Sequence, residues 1–600
     1  MQNPFSVQSP EDIEAAEALR LFVDVFTDFY KIRDSGHSML NGPRGCGKSM
    51  MFRFLEPDCQ ALNRNCKFQE LPFFAVLVSI KNTQLNLTEL QRLVDRHANI
   101  LLNEHFMVMY VCSRVFLTLS KSELDDSADN LRAAVRFYDD FSARLRLCGW
   151  SESPAAPEAT TLREFFDHLR SLCDRLYGEV INYVRRLSFS REDPSVYHGP
   201  LCGYLDFLYP LCSQLRSLAF MPTGPVYLLI DDADYLNLVQ TTILNTWVST
   251  RTSAGLSIKI STQLKYKTYR TVSGTLIDSP HDYSEVNISD LYTSSKGKYL
   301  GRVEEIVHKR LQLSGIEIPP RDFFPEDAEQ EAEIREIENN LRSEWESSGT
   351  GFRASDDVVR YARPTFFAGL KGKRKAGSTY SYAGFEQLVH ISSGLIRYFL
   401  EPAALMYSEE QARASGGDIT RISPKVQNEV IRSSAEALML TEFEKIFNDE
   451  QPVDLLEENE SIAISVLEKK VKLSNLIRAL GGLFHLKLIS KDSERRVFSV
   501  AFSDEPSPDV LEMFKLGMQF GYFHRSTIGN KDGTGRTPLY VLTRRLAPYF
   551  NLDPNGFAGY LFVTSDRIRE AITNPDRFLR RVKERGVSET FEVRQLELFE

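Results

Sequence analysis

Nothing in this chain spells a zinc site or a disulfide framework. Its eight cysteines, at 46, 59, 66, 112, 148, 173, 202 and 212, include no C-x-x-C pair, and no cysteine follows residue 212. Reduced thiols are the simpler reading. The ten histidines are scattered without metal-ligand spacing, and no Ser-His-Asp or paired-carboxylate constellation stands out. A second catalytic centre is therefore not expected. No apolar run approaches the roughly 18 residues of a spanning helix. The N-terminus, Met1-Gln2-Asn3-Pro4-Phe5 leading into Glu11-Asp12-Ile13-Glu14, is not a signal peptide. A cytoplasmic location is the expectation. An excess of positive charge is also missing. With a net charge of −10, the chain is no general polyanion binder, so any nucleic-acid contact has to come from a local basic patch. What remains is ordinary globular composition, 42% hydrophobic and 26% charged over 600 residues. That is enough for a sizeable core and several domains, near four at about 150 residues each.

Against these absences stands one strong presence. Gly42-Pro43-Arg44-Gly45-Cys46-Gly47-Lys48-Ser49 fits G-x-x-x-x-G-K-[ST] without mismatch, the phosphate-binding loop of a nucleoside triphosphatase. Its glycines let backbone N–H groups turn inward as a nest for phosphate oxygens. Lys48 brings a point charge to the β- and γ-phosphates, and Ser49 offers a hydroxyl to Mg²⁺. The helix that starts at the loop points its positive end at the same anion, with Met50 in its first turn. The setting agrees: Ser38-Met39-Leu40 reads as a buried strand before the loop, and Met50 to Leu55 has helical apolar spacing after it.

A second motif supports the first. Pro225 to Ile230 is an apolar run ending in Asp231-Asp232-Ala233-Asp234, read as a buried parallel strand with a carboxylate at its C-terminal edge. Asp231 is placed to hold Mg²⁺ through water, as a Walker B acid does. Asp232 stands where such enzymes keep the group that orients the attacking water.

The rest of the chain is organised around these motifs. Glu14 to Tyr30 reads as a helix, either closing over a nucleobase or simply packing. Pro72 to Ile80 is the next buried strand. The stretches 88–120, 128–147, 161–187 and 203–219 all show helical periodicity. Far more residues separate Lys48 from Asp231 than a compact core needs, so 85–220 reads as a helical insertion facing a partner or target. Leu244 to Val248 continue as a helix. Leu256 to Thr262 is a strand ending in hydroxyls. Ser261 and Thr262 are candidates to touch the γ-phosphate, or are ordinary strand-end polarity. Tyr283 to Ile288 is a short strand and Tyr299 to Leu313 an amphipathic helix. Residues 325–346 form a charged, solvated helix, and Lys371 to Ser378 a basic loop, either a solvated linker or a phosphate contact. In Ser392-Ser393-Gly394-Leu395-Ile396-Arg397, glycine precedes a helix whose first turn carries Arg397.

The last third reads differently. Ala463 to Leu488 is expected as a helix pair broken at Leu473-Ser474. It leads into a hairpin of 486–490 and 497–500, then a helix at 511–520 and a second hairpin of 522–528 and 539–542. This is a winged-helix pattern. Lys469, Lys470, Lys472, Arg478, Lys487, Arg495 and Arg496 put positive charge on it, either for a DNA backbone or as solvated helix charge.

In this order, the Asn3-Pro4-Phe5 lead-in, GPRGCGKS, YLLIDDAD, the Ser261-Thr262 strand end, SSGLIRYFL and the winged region resemble the AAA+ ATPases of the origin-recognition and cell-division-control type. The likeness is strongest to bacterial relatives that neighbour phage-defence genes. STAND ATPases are similar too. The resemblance implies an α/β P-loop NTPase with a five-strand parallel sheet, a helical lid, and ATP with Mg²⁺ at their junction. Ser261 or Thr262 would be sensor 1 and Arg397 sensor 2. Many hydrolytic relatives carry Glu where this chain has Asp232, which implies slow turnover. Arg251 and Arg270 lie where an arginine finger is sought, and nothing singles out either. The expected layout is a nucleotide-binding core in 1–84 and 221–318, a helical insertion in 85–220 and a lid in 319–450. A winged-helix-like α+β region in 451–545 and a C-terminal extension in 546–600 complete it. The implied function is an ATP-driven switch or assembly engine with a protein partner or further copies of itself. The alternative is a DNA-binding adaptor that uses the winged helix.

Overall fold

The computed structural model describes all residues except 1–2, 7–8, 24–28, 82–95, 153–154, 190–196, 251–253, 264–265, 289–295, 349–353, 371–378, 415–416, 445–459, 491–495, 530–535, 556–558, 592 and 596–600. The expected basic loop at 371–378, Arg251, Arg495 and the start of the helix expected from 88 lie outside the described residues. The chain divides into two compact units. The first is Gln8–Ile288; the second joins Met1–Val7 to Ser289–Glu600.

The first unit is built on five strands: β1 (Ser38–Asn41), β2 (Phe74–Ser79), β3 (Val226–Asp231), β4 (Leu256–Thr262) and β5 (Ser284–Asn287). They lie in the order β2-β3-β4-β1-β5, and every pairing is parallel. The residues of β1, β3 and β4 are buried throughout, as expected for a sheet covered on both faces. The register sets Asn41 beside Thr262 and Asn287, and Ser79 beside Asp231. Polar residues thus end all five strands along one edge, where ligands of open α/β sheets bind.

The expected helix at 14–30 is shorter: α1 spans Ala15–Leu21, and Phe22 is already extended. Phe22 instead stacks on Phe54, ring centroids 3.9 Å apart, of the helix that follows the phosphate loop, α2 (Lys48–Leu55). Ala18 packs with Ile13 and Cys59, so α1 is a packing helix.

The insertion is helical as expected: α3 (Arg96–Lys121), α4 (Ala128–Leu147), α5 (Leu162–Phe189) and α6 (Tyr209–Arg216), the last preceded by a wide turn at Tyr204–Leu208. Residues 97–121 of α3 are long and apolar enough to cross a membrane by composition, contrary to the expectation. Their apolar side chains, Phe106, Val108, Cys112, Val115, Phe116 and Leu119 among them, are buried in the protein's own core. That core is shared with the sheet. Tyr110 donates its hydroxyl to Ser79 O at the end of β2 (2.7 Å). Trp247, on α7 (Leu238–Ser249), donates to Glu104 (3.0 Å), and Gln240 to Asn103 (3.0 Å). The insertion is therefore grown onto the sheet rather than tethered beside it.

The second unit begins with α8 (Lys296–Leu313). Its Val303, Val307 and Leu311 pack with Phe323, Phe324 and Phe385. The expected core boundary at 318 thus moves to 288. The N-terminal residues also change sides. Phe5 is fully buried against Phe323, Phe324 and Tyr407, and Asn3 Nδ2 donates to Ala404 O (2.8 Å). The expected charged helix is α9 (Ala328–Ser348). It is followed by α10 (Ala354–Leu370), α11 (Phe385–Ile391), α12 (Arg397–Arg413) and α13 (Pro424–Ala437).

The expected helix pair of 463–488 is one continuous helix, α14 (Glu460–Leu488). Nothing at Leu473-Ser474 breaks it. The segment has no proline, and Leu473, Leu476, Ile477, Leu480, Leu483 and Phe484 keep one unbroken buried face. The first expected hairpin is absent because 486–488 is the last turn of this helix. The second is present. β7 (Phe523–Gly529) and β8 (Arg536–Leu542) pair antiparallel in a sheet ordered β10-β9-β6-β8-β7. The other strands are β6 (Val497–Phe502), β9 (Gly559–Val563) and β10 (Val593–Gln595). The helices α15 (Pro508–Gln519), α16 (Ser565–Thr573) and α17 (Pro575–Arg585) pack against α14. One apolar core runs from Leu438 to Phe591, so the expected boundary at 545 divides a single core.

Candidate functional site

The phosphate loop bridges β1 and α2. It begins on the sheet, where Gly42 N donates to Thr262 O (3.2 Å). A Cβ on Gly42 would lie 2.9 Å from Ile288 Cβ and 3.0 Å from Cys46 Sγ, so glycine is needed for the close approach. Gly45 (φ 90°) and Gly47 (φ 99°) are left-handed, a conformation that glycine adopts without a steric cost. Lys48 is the first residue of α2 and is buried. Its Nζ donates to Gly42 O (2.7 Å) and Pro43 O (3.0 Å), with Cys46 Sγ at 3.6 Å. The ammonium is held by the loop's own carbonyls. Pro43, Gly45, Gly47 and Ser49 are half-buried and Arg44 is exposed. The side chain of Met50 packs toward Ile13, Ala18 and Cys59; Met50 belongs to the loop through its place in the first helical turn.

Asp231 closes β3 and is 2% exposed. Its carboxylate accepts a hydrogen bond from the Ser261 hydroxyl, and the Ser49 hydroxyl lies near enough to favour its charged form. Burial pushes its pKa upward; the two hydroxyls and the Lys48 charge pull the other way. Asp232 is left-handed (φ 57°, ψ 45°), a region that Asp tolerates better than most residues. Its N–H is held by Asp231 Oδ1 (3.1 Å) and Ser261 Oγ (3.0 Å). That turn swings the Asp232 carboxylate off the strand to where Gln263 Nε2 donates to its Oδ1 (2.6 Å). Gln263 is fixed in turn by its own N–H, which donates to Asp234.

Ser261 is thus occupied between the two acids. Thr262 donates to Asn41 Oδ1 (2.7 Å), and Asn41 Nδ2 donates to Glu285 Oε1 (2.6 Å). Gln263 and Asn41 belong to no motif of the sequence. The signal for Gln263 was its position directly after the Ser261-Thr262 strand end.

Ser49 and Asp231 bring two hard oxygen donors together at the mouth of the loop, the kind Mg²⁺ prefers. Among the described residues no cluster of three or more His, Cys, Asp or Glu side chains is suited to a metal. The loop and its adjoining hydroxyl and carboxylate fit a nucleotide with its metal.

Arg397 is the first residue of α12, in the second unit. It follows a tight turn with Ser393 (φ 53°) and Gly394 (φ 82°) left-handed, and its Nε lies 3.7 Å from Glu401. Ser393 Oγ accepts from Arg544 N (2.7 Å). The Arg545 guanidinium sits 4.0 Å from the ring centroid of Tyr398. The helix bearing Arg397 is thereby fastened to the segment just after β8. Arg270 donates to Gly274 O (2.9 Å) within a local turn.

A P-loop on β1, a paired acid on β3 and a parallel β2-β3-β4-β1-β5 sheet form one pattern, and residues 3–562 match ORC-CDC6-like. The chain belongs to the ORC-CDC6-like family. The match spans both units, so the helices of the second unit and most of its C-terminal sheet belong to the family pattern as well. No curated protein matches the chain. As an ORC-CDC6-like chain it is an AAA+ ATPase by fold.

Proposed function

We propose that this ORC-CDC6-like protein is a nucleotide-driven switch that binds and slowly hydrolyses Mg·ATP. The observation that carries the reading is the cluster of Ser49, Asp231, Ser261, Asp232 and Gln263 at one edge of the sheet, beside the phosphate loop. The bound Mg²⁺ would neutralise phosphate charge. The loop N–H groups and the N-terminus of α2 cradle the phosphates. Lys48 exchanges the carbonyls of Gly42 and Pro43 for phosphate oxygens. Ser49 and Asp231 would hold the metal. Asp232, aimed by Gln263, accepts a hydrogen bond from the attacking water and orients it. Its side chain, shorter than a glutamate's, favours slow turnover. Arg397 stays the candidate sensor 2 that the resemblance implies, and the switch engages a protein partner or further copies of the chain.

The test is nucleotide affinity and phosphate release in the same samples. Lys48→Ala should weaken ATP binding about tenfold to a hundredfold, the worth of a charge-assisted contact. Unchanged affinity would sink the reading. Asp232→Asn should retain binding and lose phosphate release.

The alternative of a DNA adaptor draws little support from the surface expected to carry it. Lys469 pairs with Glu512, Lys470 with Glu444, Lys472 with Glu468, Arg478 with Asp576 and Arg496 with Asp553. Lys487 is buried, its Nζ donating to Ser588 (2.9 Å). Exposed cations already matched by acids release few counterions on meeting a phosphate backbone.

A further inference from the structure

Cys46 and Cys59 are buried in the core around the phosphate loop, and Cys112, Cys173 and Cys212 within the insertion. Cys66 and Cys148 are half-buried; only Cys148 has a thiol for a neighbour. Cys148 caps the C-terminus of α4, and its O accepts from Leu201 N (2.8 Å). That bond lays the residue before Cys202 against Cys148. Cys202 is pinned from the other side, its N–H donating to His105 Nδ1 (3.1 Å). The two thiols lie near enough for each to shift the other's ionisation, and Cys148 Sγ lies 4.0 Å from Asp206. Cys148 is half-buried at the end of α4, and Cys202 is buried.

We propose that Cys148 and Cys202 are a peroxide-responsive pair that closes to a disulfide within the insertion. The Cys148 thiolate attacks one oxygen of hydrogen peroxide. The O–O bond breaks, hydroxide leaves, and Cys148 becomes a sulfenic acid. Cys202 sulfur then attacks the Cys148 sulfur, the S–O bond breaks, and water leaves with the Cys202 proton. In sum, two thiols are oxidised, one peroxide is reduced, and two waters form. The roles follow from the geometry. Cys148 is the sulfur that peroxide reaches, and the Cys202 thiol beside it holds its own thiol below the usual range, which favours the thiolate. Burial and the Cys148 neighbour push the Cys202 thiol well above that range, fitting it to resolve rather than to initiate. The bridge would tie the end of α4 to the turn that opens at Tyr204, holding both ends of the segment that carries α5.

The experiment treats the full-length protein with hydrogen peroxide, blocks free thiols, and maps peptides by mass. A cross-linked peptide joining 148 and 202, lighter by two hydrogens and restored by a thiol reductant, is expected. Cys202→Ser should stop at a Cys148 sulfenic acid that a dimedone probe traps, and Cys148→Ser should show neither product. The proposal is overturned if wild type acquires only oxygen adducts at Cys148 or Cys66, or if the cross-link joins other cysteines. Circular dichroism of each untreated serine variant, and labelling of Cys148 in Cys202→Ser, verify that a missing cross-link is not a folding failure.

Discussion

Gln263 shows how a single side chain defines what an acid does. Asp231 and Asp232 are neighbours in sequence, yet the left-handed turn at Asp232 sends their carboxylates to different tasks. Asp231 meets Ser49 and Ser261; Asp232 meets Gln263. Gln263→Ala should therefore slow phosphate release about tenfold or more while ATP affinity stays within about threefold, because only the aim of Asp232 is lost. An equal loss in both would place Gln263 in binding instead. A second residue-scale expectation concerns His105. Burial lowers its pKa to about 3, below the unfolded value of about 6.5. The unfolded chain thus binds more protons between these values, and stability is lost as pH falls through 6.5. From pH 7.5 to pH 5 the loss is about 2 kcal/mol. His105→Asn keeps an acceptor for Cys202 N and should remove that share, measured as denaturant midpoints at the two pH values.

At the scale of elements, α14 is the most informative departure. Periodicity over 463–488 leads to the expectation of a helix pair at Leu473-Ser474, whereas the structure has one helix, Glu460–Leu488. The packing decides. A Cβ on Gly481 would lie 2.4 Å from the Phe550 ring, and one on Gly482 2.6 Å from Leu579 Cδ1. The mid-helix glycines are points of close approach rather than breaks. Ser474→Pro should cost about 3 kcal/mol or more, since it removes a helical hydrogen bond, whereas a turn at that point would tolerate it. Thermal unfolding of the variant distinguishes the two. The N-terminus of α12 is read similarly. Arg397 was legible as an arginine after a glycine, but its fastening through Ser393 to Arg544, and through Tyr398 to Arg545, joins positions some 150 residues apart, beyond the reach of any local pattern.

The molecule as a whole is divided where the motifs gave no sign. The first seven residues serve the second unit, and Phe5 is fully buried there. Phe5→Ala should destabilise that unit by about 3–5 kcal/mol, visible as an earlier transition in calorimetry. Equal stability would mean the N-terminal anchor is idle. The core from Leu438 to Phe591 sets the other limit. Truncation after residue 545 removes β9, α16 and α17 from that core and should leave a chain that aggregates. Limited proteolysis of the intact protein should protect a fragment reaching about residue 591.

The phosphate loop, the acid strand, the buried strands and most helices were determined by the sequence alone. They depend on local geometry, on glycines where φ is positive, and on apolar spacing that reports burial within a few residues. Which polar groups meet was decided only in three dimensions. Ser261 with Asp231, Thr262 with Asn41, Gln263 with Asp232, and Phe5 with Phe323 are pairings between distant segments. Parallel strand register and close packing bring them together, and neither is encoded by any one segment.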